Sequence, residues 1–220
     1  MENFWLLLIA LISYLLGSIP FAYIVAKKMT GKNLCYVGTR NVGAMNAYRT
    51  TGSTKALIMV LSGDTIKAII SILSVSWLGF LGYNLKAGLV IAAFFVILGH
   101  NYSCFLKFKG GKGLASLLGI LLALDWRFFL ISIVIALFVA FIVKVFYDLL
   151  TYNLASWKSL SKIKEIVDYR IGVLETLLNL ILICFYQSKL ILPILAAAGL
   201  IIAKTAKEEI QKIQKKRLIS

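Results

Sequence analysis

The sequence predicts an all-α membrane protein whose helices cross the bilayer seven times. Of its 220 residues 60% are hydrophobic, and the mean hydropathy is +0.90. Soluble domains are usually only about 45–50% apolar. Several apolar runs are close to the ~20 residues that a helix needs to cross the hydrocarbon core. Because no low-complexity linker interrupts these runs, we expect a single domain over residues 1–220.

The distribution of positive charge predicts how the spans are oriented. Twenty of the 24 Lys and Arg residues lie in the tail and in the loops that follow the first, third and fifth spans, if Lys144 at the edge of the fifth span is included. Cytoplasmic loops carry an excess of Lys and Arg. We therefore predict an outside amino terminus and a cytoplasmic carboxyl terminus, in a cell inner membrane. The expected spans are residues 4–25, 56–80, 87–106, 114–124, 128–146, 171–186 and 190–203.

Charge and cysteine content exclude several partners. A net charge of +15 would suggest nucleic acid in a soluble chain, but here the loops of a membrane protein account for it. The three cysteines, Cys35, Cys104 and Cys184, lack metal-ligand spacing, and we interpret them as free thiols. Because His100 is the sole histidine and no Cys/His cluster is present, we expect no zinc site. We also expect no nucleotide or other cofactor.

The basic tail, residues 204–217, has two interpretations. We favour a solvated end that enforces topology. The alternative is an amphipathic helix lying on anionic lipid.

A glycine-rich loop at residues 110–113 is the strongest candidate for a ligand site. Its glycines let a ligand approach main-chain N–H groups, and the apolar run from Leu114 predicts a helix whose N-terminus would face an anion. The loop is not a Walker A motif, because Lys112 is followed by Gly113 instead of Ser or Thr. The alternative is a loop whose lysines only set topology. The lysines in and before it are Lys107, Lys109 and Lys112.

A second polar stretch, residues 38–46, lies within a segment predicted to be a long loop, residues 27–55. Its glycines and its Thr, Arg and Asn residues could orient a polar ligand, or they could form a simple Asn/Gly turn.

Two polar features lie inside predicted spans. Ser18 precedes Pro20, so backbone groups freed at the proline must be satisfied by neighbours or line a polar cavity. The alternative is a kinked helix in which Ser18 bonds to its own turn. Asp64 and Lys67 are three residues apart on one helix and can pair, and we favour a structural pair over a proton relay.

His100 lies just ahead of the glycine-rich loop. A structural and a functional role for it both remain open. The sequence contains no GxSxG motif to support a Ser-His-Asp nucleophile.

Taken together, these motifs resemble the bacterial integral-membrane acyl-phosphate:glycerol-3-phosphate acyltransferases. The resemblance implies transfer of a fatty acyl group from acyl-phosphate to the 1-hydroxyl of glycerol 3-phosphate, giving lysophosphatidic acid and phosphate in phospholipid synthesis. It also implies seven spans and cytosolic catalytic loops, in agreement with the charge distribution. The matching segments are residues 17–21, 38–46, 64–67, 99–100 and 105–116.

The resemblance also implies roles for individual residues. Lys112 would offset negative charge that develops in the transition state. Because Phe105 stands where soluble acyltransferases have an Asp five residues after the His, a substrate phosphate oxygen is the hypothesised proton acceptor. Implied catalytic residues are His100, Lys112, Asn41 and Ser18. Implied binding residues for phosphate and glycerol are Gly38, Thr39, Arg40, Asn46, Lys107, Gly110, Gly111, Gly113 and Ser116, with Asp64 and Lys67 in support.

The chain departs from the family pattern in two regions. The first loop has Arg40 and Met45 where the family has Gly and Thr, and Cys35 stands near the usual Arg. The carboxyl-terminal motif normally supplies His and Asn, but residues 204–209 contain neither. A non-catalytic relative that binds or transports a phosphorylated small molecule or lipid is therefore the alternative function. Transport is disfavoured, because no second set of broken helices mirrors the first.

Overall fold

The computed structural model describes residues 2–81, 84–153 and 191–217, and the regular elements in those ranges are all helical. Short 3-10 helices follow two of the α-helices, at Leu78–Leu81 and Cys104–Leu106. The predicted sixth span, residues 171–186, lies outside the described residues. The α-helices are α1 (Glu2–Ser18), α2 (Phe21–Thr30), α3 (Ala44–Thr51), α4 (Thr54–Trp77), α5 (Leu85–Asn101), α6 (Leu114–Leu124), α7 (Trp126–Asn153) and α8 (Ile191–Arg217).

The first predicted span is divided at Pro20, where the sequence predicts freed backbone groups. The helix stops at Ser18 and restarts at Phe21, because Pro20 has no N–H to donate and cannot sit in a helix interior. The two pieces still form an apolar helical segment long enough to cross a membrane, Asn3–Thr30, as does Thr54–Trp77. The fourth predicted span coincides with α6.

The predicted loop at residues 27–55 is helical only in part. It contains the end of α2 and all of α3, and both helices end at glycines in the left-handed conformation, Gly31 and Gly52. Residues 31–43 are not helical, so the predicted loop is confirmed there and wrong at Ala44–Thr51.

Glycines let the central helices approach one another closely. A Cβ on Gly17 of α1 would collide with the Val96 carbonyl of α5, and one on Gly99 of α5 would collide with the Tyr14 carbonyl of α1. Small residues at helix contacts are typical of membrane proteins, where close backbone approach supplies the packing energy. The contact brings the broken end of α1 against the last turn of α5.

The core lies between α1, α4, α5, α6 and α8. It is built from small and branched apolar side chains, including Ala68, Ala92, Val96, Ile120 and Ala197. In contrast, large apolar side chains on the outer face of α7 are exposed at helical spacing, as expected for a surface that faces lipid. They are Leu130, Val134, Leu137, Phe138 and Phe141.

The last helix continues through the basic tail. α8 includes Lys204, which is only 7% exposed, and the neighbouring Thr205 is also buried. The interpretation of Lys204 as part of a solvated end is therefore wrong. The physical reason is that the side chain faces the carboxyl-terminal end of α5, where it has a main-chain acceptor.

Candidate active site

A polar cleft lies where the break between α1 and α2 meets α4, the end of α5 and the glycine-rich loop. It is narrow, with a free volume of about 10 Å³, close to the space that one water molecule needs. The side chains and backbone that line it come from five separate parts of the sequence. They are Gly17, Ser18, Ile19, Pro20, Phe21, Val42, Asp64, Lys67, His100, Ser103, Gly110 and Gly111.

Asp64, Lys67 and His100 form a buried polar cluster in one wall of the cleft. The Lys67 ammonium lies 2.7 Å from Asp64 Oδ1, so the predicted pairing across one helical turn is observed. Lys67 Nζ also lies 3.1 Å from His100 Nδ1, and Asp64 Oδ1 lies 3.5 Å from the same nitrogen. A buried ion pair requires such additional partners to offset the loss of hydration.

The break before Pro20 is stabilised from outside its own helix. Lys67 Nζ donates to the Ile19 carbonyl at 3.0 Å, and Ser103 Oγ donates to the Ser18 carbonyl at 2.5 Å. Ser18 Oγ is buried and has no hydrogen-bond partner among the described residues. The alternative in which Ser18 bonds to its own turn is therefore wrong, because neighbouring helices satisfy the freed carbonyls and leave the hydroxyl available in the cleft.

His100 Nδ1 has two charged neighbours. The Lys67 ammonium, which can only donate, lies 3.1 Å away, and Asp64 Oδ1, which can only accept, lies 3.5 Å away. The shorter contact favours the tautomer with the proton on Nε2. Nε2 faces Gly111, since a Cβ on that glycine would collide with it. Ser116 Oγ donates to the Asp64 carbonyl at 3.2 Å and lies 3.4 Å from Nδ1, which ties the first turn of α6 to the cluster.

The glycine-rich loop is folded against the end of α5. The Gly111 N–H donates to the His100 carbonyl at 3.0 Å. A Cβ on Gly110 would collide with that same carbonyl, so both positions require glycine for close approach. Gly113 has φ +91° and leads directly into α6. The loop thus lies at a helix N-terminus, as the sequence predicts.

Asn46 organises the first loop. Its amide nitrogen donates to the carbonyls of Val37 and Asn41 at 3.1 and 2.9 Å, and its oxygen accepts from the Thr39 N–H at 3.1 Å. With its side chain committed to the backbone, Asn46 shapes the loop. It is also why position 38 is a glycine, since a Cβ there would collide with Asn46 Oδ1.

A main-chain hydrogen bond joins the two polar loops. The Val42 N–H donates to the Gly110 carbonyl at 3.3 Å. Asn41 therefore lies beside the glycine-rich loop, and its side-chain oxygen is buried without a partner among the described residues.

The remaining predicted residues stand at the edge of this arrangement. The Arg40 and Lys107 side chains are exposed and do not line the cleft, and both residues have positive φ, 60° and 53°. Thr39 is exposed, whereas Lys112 is partly buried.

Three residues outside the predicted set contribute to the site. Ser103 supports the break in α1, Lys204 donates to the Asn101 carbonyl, and the Asn101 side chain is fully buried. The orientation of the Asn101 amide that satisfies its surroundings directs its nitrogen to the carbonyls of Gly111 and Lys112, at 3.1 and 3.2 Å. The only sequence signal for Asn101 and Ser103 was that they are polar and close to His100 in the chain. No neighbouring motif indicated a role for Lys204.

An apolar cleft borders the polar one. It is lined by Tyr14, Phe95, Leu98, Tyr102 and Phe108. Tyr14 precedes Ser18 by about one helical turn. Its hydroxyl donates to the Tyr102 carbonyl at 2.8 Å. A polar head group and an apolar chain could therefore occupy neighbouring sites.

Two of the three cysteines fall in the described residues, and both are free thiols. Cys35 is buried and Cys104 is exposed. Burial raises the pKa of the Cys35 thiol, and the positive charge of Lys109 opposes this only in part. Within the described ranges no three His, Cys, Asp or Glu side chains cluster as metal ligands would.

Two curated relatives of this chain are named as glycerol-3-phosphate acyltransferases. The chain is 40% identical over 143 residues to a glycerol-3-phosphate acyltransferase 2 of Moorella thermoacetica, covering 63% of this chain and 70% of that one. It is 38% identical over 117 residues to a glycerol-3-phosphate acyltransferase of Carboxydothermus hydrogenoformans, covering 53% of this chain. That alignment spans only 57% of the Carboxydothermus protein.

Solved structures show the same fold. The crystal structure of PlsY (YgiH), an integral membrane glycerol 3-phosphate acyltransferase, in its glycerol 3-phosphate form superposes with a TM-score of 0.68 at 25% identity. The superposition covers 96% of this chain and 93% of that chain. Together with the exposed apolar helices, this likeness identifies a membrane protein. The model of the glycerol-3-phosphate acyltransferase family matches residues 7–216, and the chain therefore belongs to that family.

Proposed function

We propose that this protein transfers a fatty acyl group from acyl-phosphate to the 1-hydroxyl of glycerol 3-phosphate, forming lysophosphatidic acid in phospholipid synthesis. The hydroxyl oxygen bonds to the acyl carbon, the bond from that carbon to the phosphate oxygen breaks, and inorganic phosphate leaves. The observation that carries the proposal is the junction of the two polar loops beside His100, through the Val42–Gly110 hydrogen bond. No cofactor takes part.

The glycine-rich loop is the proposed phosphate seat. The Gly111 N–H already donates to the His100 carbonyl, so the anion would be held by other main-chain N–H groups near Gly110 and Gly113, by the positive end of α6 and by the Lys112 charge. Lys112 would also stabilise charge that develops on the departing phosphate. Asn41 and Thr39 would orient glycerol 3-phosphate, and Asn46 would act indirectly by shaping their loop.

His100 is proposed to stabilise and orient a substrate, with a substrate phosphate oxygen as the proton acceptor. The short Lys67 contact to Nδ1 supports this role, because it favours the tautomer protonated at Nε2, and a protonated Nε2 can donate to an oxygen but cannot accept the hydroxyl proton. The unpartnered Ser18 hydroxyl lines the same cleft and would bind a second polar group of the substrate. Ser116, with Asp64 and Lys67, would hold the imidazole in place.

The apolar cleft is the proposed seat of the acyl chain. It lies about one turn along α1 and α5 from the polar cleft, and its lining is formed by aromatic and leucine side chains. A substrate with a phosphate at one end and a hydrocarbon chain at the other would fill both without exposing the chain to water.

We further propose seven spans, with the amino terminus outside and the carboxyl terminus in the cytoplasm of a cell inner membrane, in one domain over residues 1–220. The positive-inside distribution supports this orientation. A membrane-impermeant maleimide tests it, because Cys104 is exposed and would lie on the cytoplasmic side. We expect labelling of Cys104 in inside-out vesicles and not in intact spheroplasts. The reverse pattern would refute the orientation.

The decisive experiment is an assay of the purified protein with acyl-phosphate and radiolabelled glycerol 3-phosphate. We expect labelled lysophosphatidic acid and release of one phosphate per product. Lys112→Ala should reduce the rate by at least about 100-fold, whereas Lys32→Ala, an exposed lysine away from the cleft, serves as the matched control. If the wild type forms no product yet still binds glycerol 3-phosphate, the alternative of a non-catalytic relative replaces the enzyme.

A further inference from the structure

We propose that Lys204 is a positioning residue that holds the glycine-rich loop in its phosphate-binding geometry, acting through Asn101. This inference rests on the proposed function, because it assigns the loop to a phosphate. It gives a role to a region where the chain departs from the family pattern, the stretch that contains residues 204–209.

The first step is the contact between Lys204 and the end of α5. The ammonium donates to the main-chain carbonyl of Asn101, the last residue of that helix, and lies 4.9 Å from the centre of the Tyr102 ring. The last carbonyls of a helix have no partner within it and carry the negative end of its dipole. A cation at this point satisfies such a carbonyl and fixes the position of α5 against α8.

The second step runs from Asn101 to the loop. The fully buried Asn101 amide donates to the carbonyls of Gly111 and Lys112 at 3.1 and 3.2 Å. The preceding carbonyl, that of His100, accepts from the Gly111 N–H. Lys204 thus holds the carbonyl of Asn101, and the loop holds the carbonyl of His100. Because these two carbonyls belong to consecutive residues, a displacement of Asn101 also displaces the loop.

The Lys204 ammonium is buried at an energetic cost. Lys204 is 7% exposed, and two other inward side chains of the same helix, Ala197 and Ile201, are apolar. A lysine at such a position loses its hydration and would be unfavourable unless its contacts compensate. Its hydrogen bond is to the end of α5, and Lys204 is not among the residues that line the cleft, so we assign it positioning and not a direct role with substrate.

Three variants test the proposal in the acyl transfer assay. Lys204→Met keeps the length of the side chain but removes the charge and the donors, and we expect KM for glycerol 3-phosphate to rise at least about tenfold with kcat changed less than about threefold. Lys204→Arg should restore KM to within about threefold of wild type, because a cationic donor returns. Lys207→Met, an exposed lysine on the same helix, should match the wild type.

Hydrogen exchange provides a readout that does not need turnover. In folded protein in detergent, we expect the amides of residues 107–115 to exchange at least about tenfold faster in Lys204→Met, with no change in α4. If the wild type lacks acyl transfer, the proposed function fails, while this measurement still decides the role of Lys204.

Two results would overturn the proposal. One is a Lys204→Met protein with unchanged KM and unchanged loop exchange. The other is a loss of kcat at unchanged KM, which would place Lys204 in the chemistry. If Lys204→Met does not fold, Lys204→Gln replaces it, because the glutamine amide lacks the charge but keeps an N–H donor group. We then expect a smaller rise in KM for glycerol 3-phosphate. An unchanged KM would contradict the proposal.

Discussion

The basic residues of this protein divide into two groups that the sequence does not distinguish. Lys67 and Lys204 are buried and each donates to a main-chain carbonyl at a helix end. Arg40 and Lys107 are exposed on loops and do not line the cleft. The comparison teaches that charge density around a glycine-rich loop does not show which cations are buried beside it and which stay in solvent.

The physical difference lies in what each charge costs. A buried ammonium must replace its hydration with fixed partners. Removing either the ammonium or its partner therefore lowers the free energy of unfolding strongly. An exposed one keeps its water and contributes a screened, long-range attraction. Substitution of a buried charge should therefore change stability or activity far more than substitution of an exposed one.

The largest effect is expected at Asp64. Asp64→Asn leaves the Lys67 charge buried without its carboxylate, and we expect it to destabilise the fold by about 3–5 kcal/mol. Thermal unfolding in detergent measures this.

A double variant provides the control for Asp64. Asp64→Leu combined with Lys67→Met removes both charges, so it should be more stable than either single variant but inactive. Single variants with wild-type stability would show that the pair does not support the break in α1.

A smaller effect, on rate, is expected at Gly111. Gly111→Ala places a Cβ against His100 Nε2 and the Val42 carbonyl, and a displacement of about 1 Å there should lower kcat/KM about 100-fold. Gly199→Ala is the matched control, since a Cβ at that position on α8 meets no neighbouring atom within 4 Å. Equal activities for the two variants would mean that the loop does not need its observed position.

The two described cysteines allow the same comparison of buried and exposed positions for a side chain without charge. Cys35 is buried and its pKa is raised, so at pH 7.5 less of it is thiolate than in an ordinary cysteine, and access is restricted as well. We expect N-ethylmaleimide to modify Cys35 at least about tenfold more slowly than the exposed Cys104. Peptide mapping measures each rate, and denaturant should equalise them. Similar rates in the folded protein would contradict the buried position of the first loop.

The smallest effect is expected at Lys107. Lys107→Ala should raise KM for glycerol 3-phosphate by no more than about threefold, and the difference should shrink as ionic strength rises, since an exposed charge acts through a screened field. Kinetics in low and high salt measure this. A salt-independent loss of 100-fold would move Lys107 into direct contact with substrate.

Local patterns in the sequence predicted local features well. The spacing of Asp64 and Lys67 predicted their pairing, the glycines before Leu114 predicted a helix N-terminus, and Pro20 predicted freed carbonyls that neighbours satisfy. Each of these depends on residues a few positions apart, where helix geometry fixes the distances.

Composition misled where it was averaged over a longer stretch. The segment at residues 27–55 is polar and rich in glycine, but two of its glycines, Gly31 and Gly52, terminate helices. Residues 31–43 form the predicted loop, whereas Ala44–Thr51 form α3. The average composition of the stretch therefore did not indicate the short helix inside it.

The sequence by itself determined the fold class, the family and the segments that carry the polar chemistry. Only the tertiary structure decided that Ser103 and Lys67 close the break in α1, that Lys67 reaches His100, and that Lys204 holds the end of α5. The physical reason is that these contacts join residues 33 to 103 positions apart. Their distances depend on how closely glycines let the helices pack, which no local spacing records.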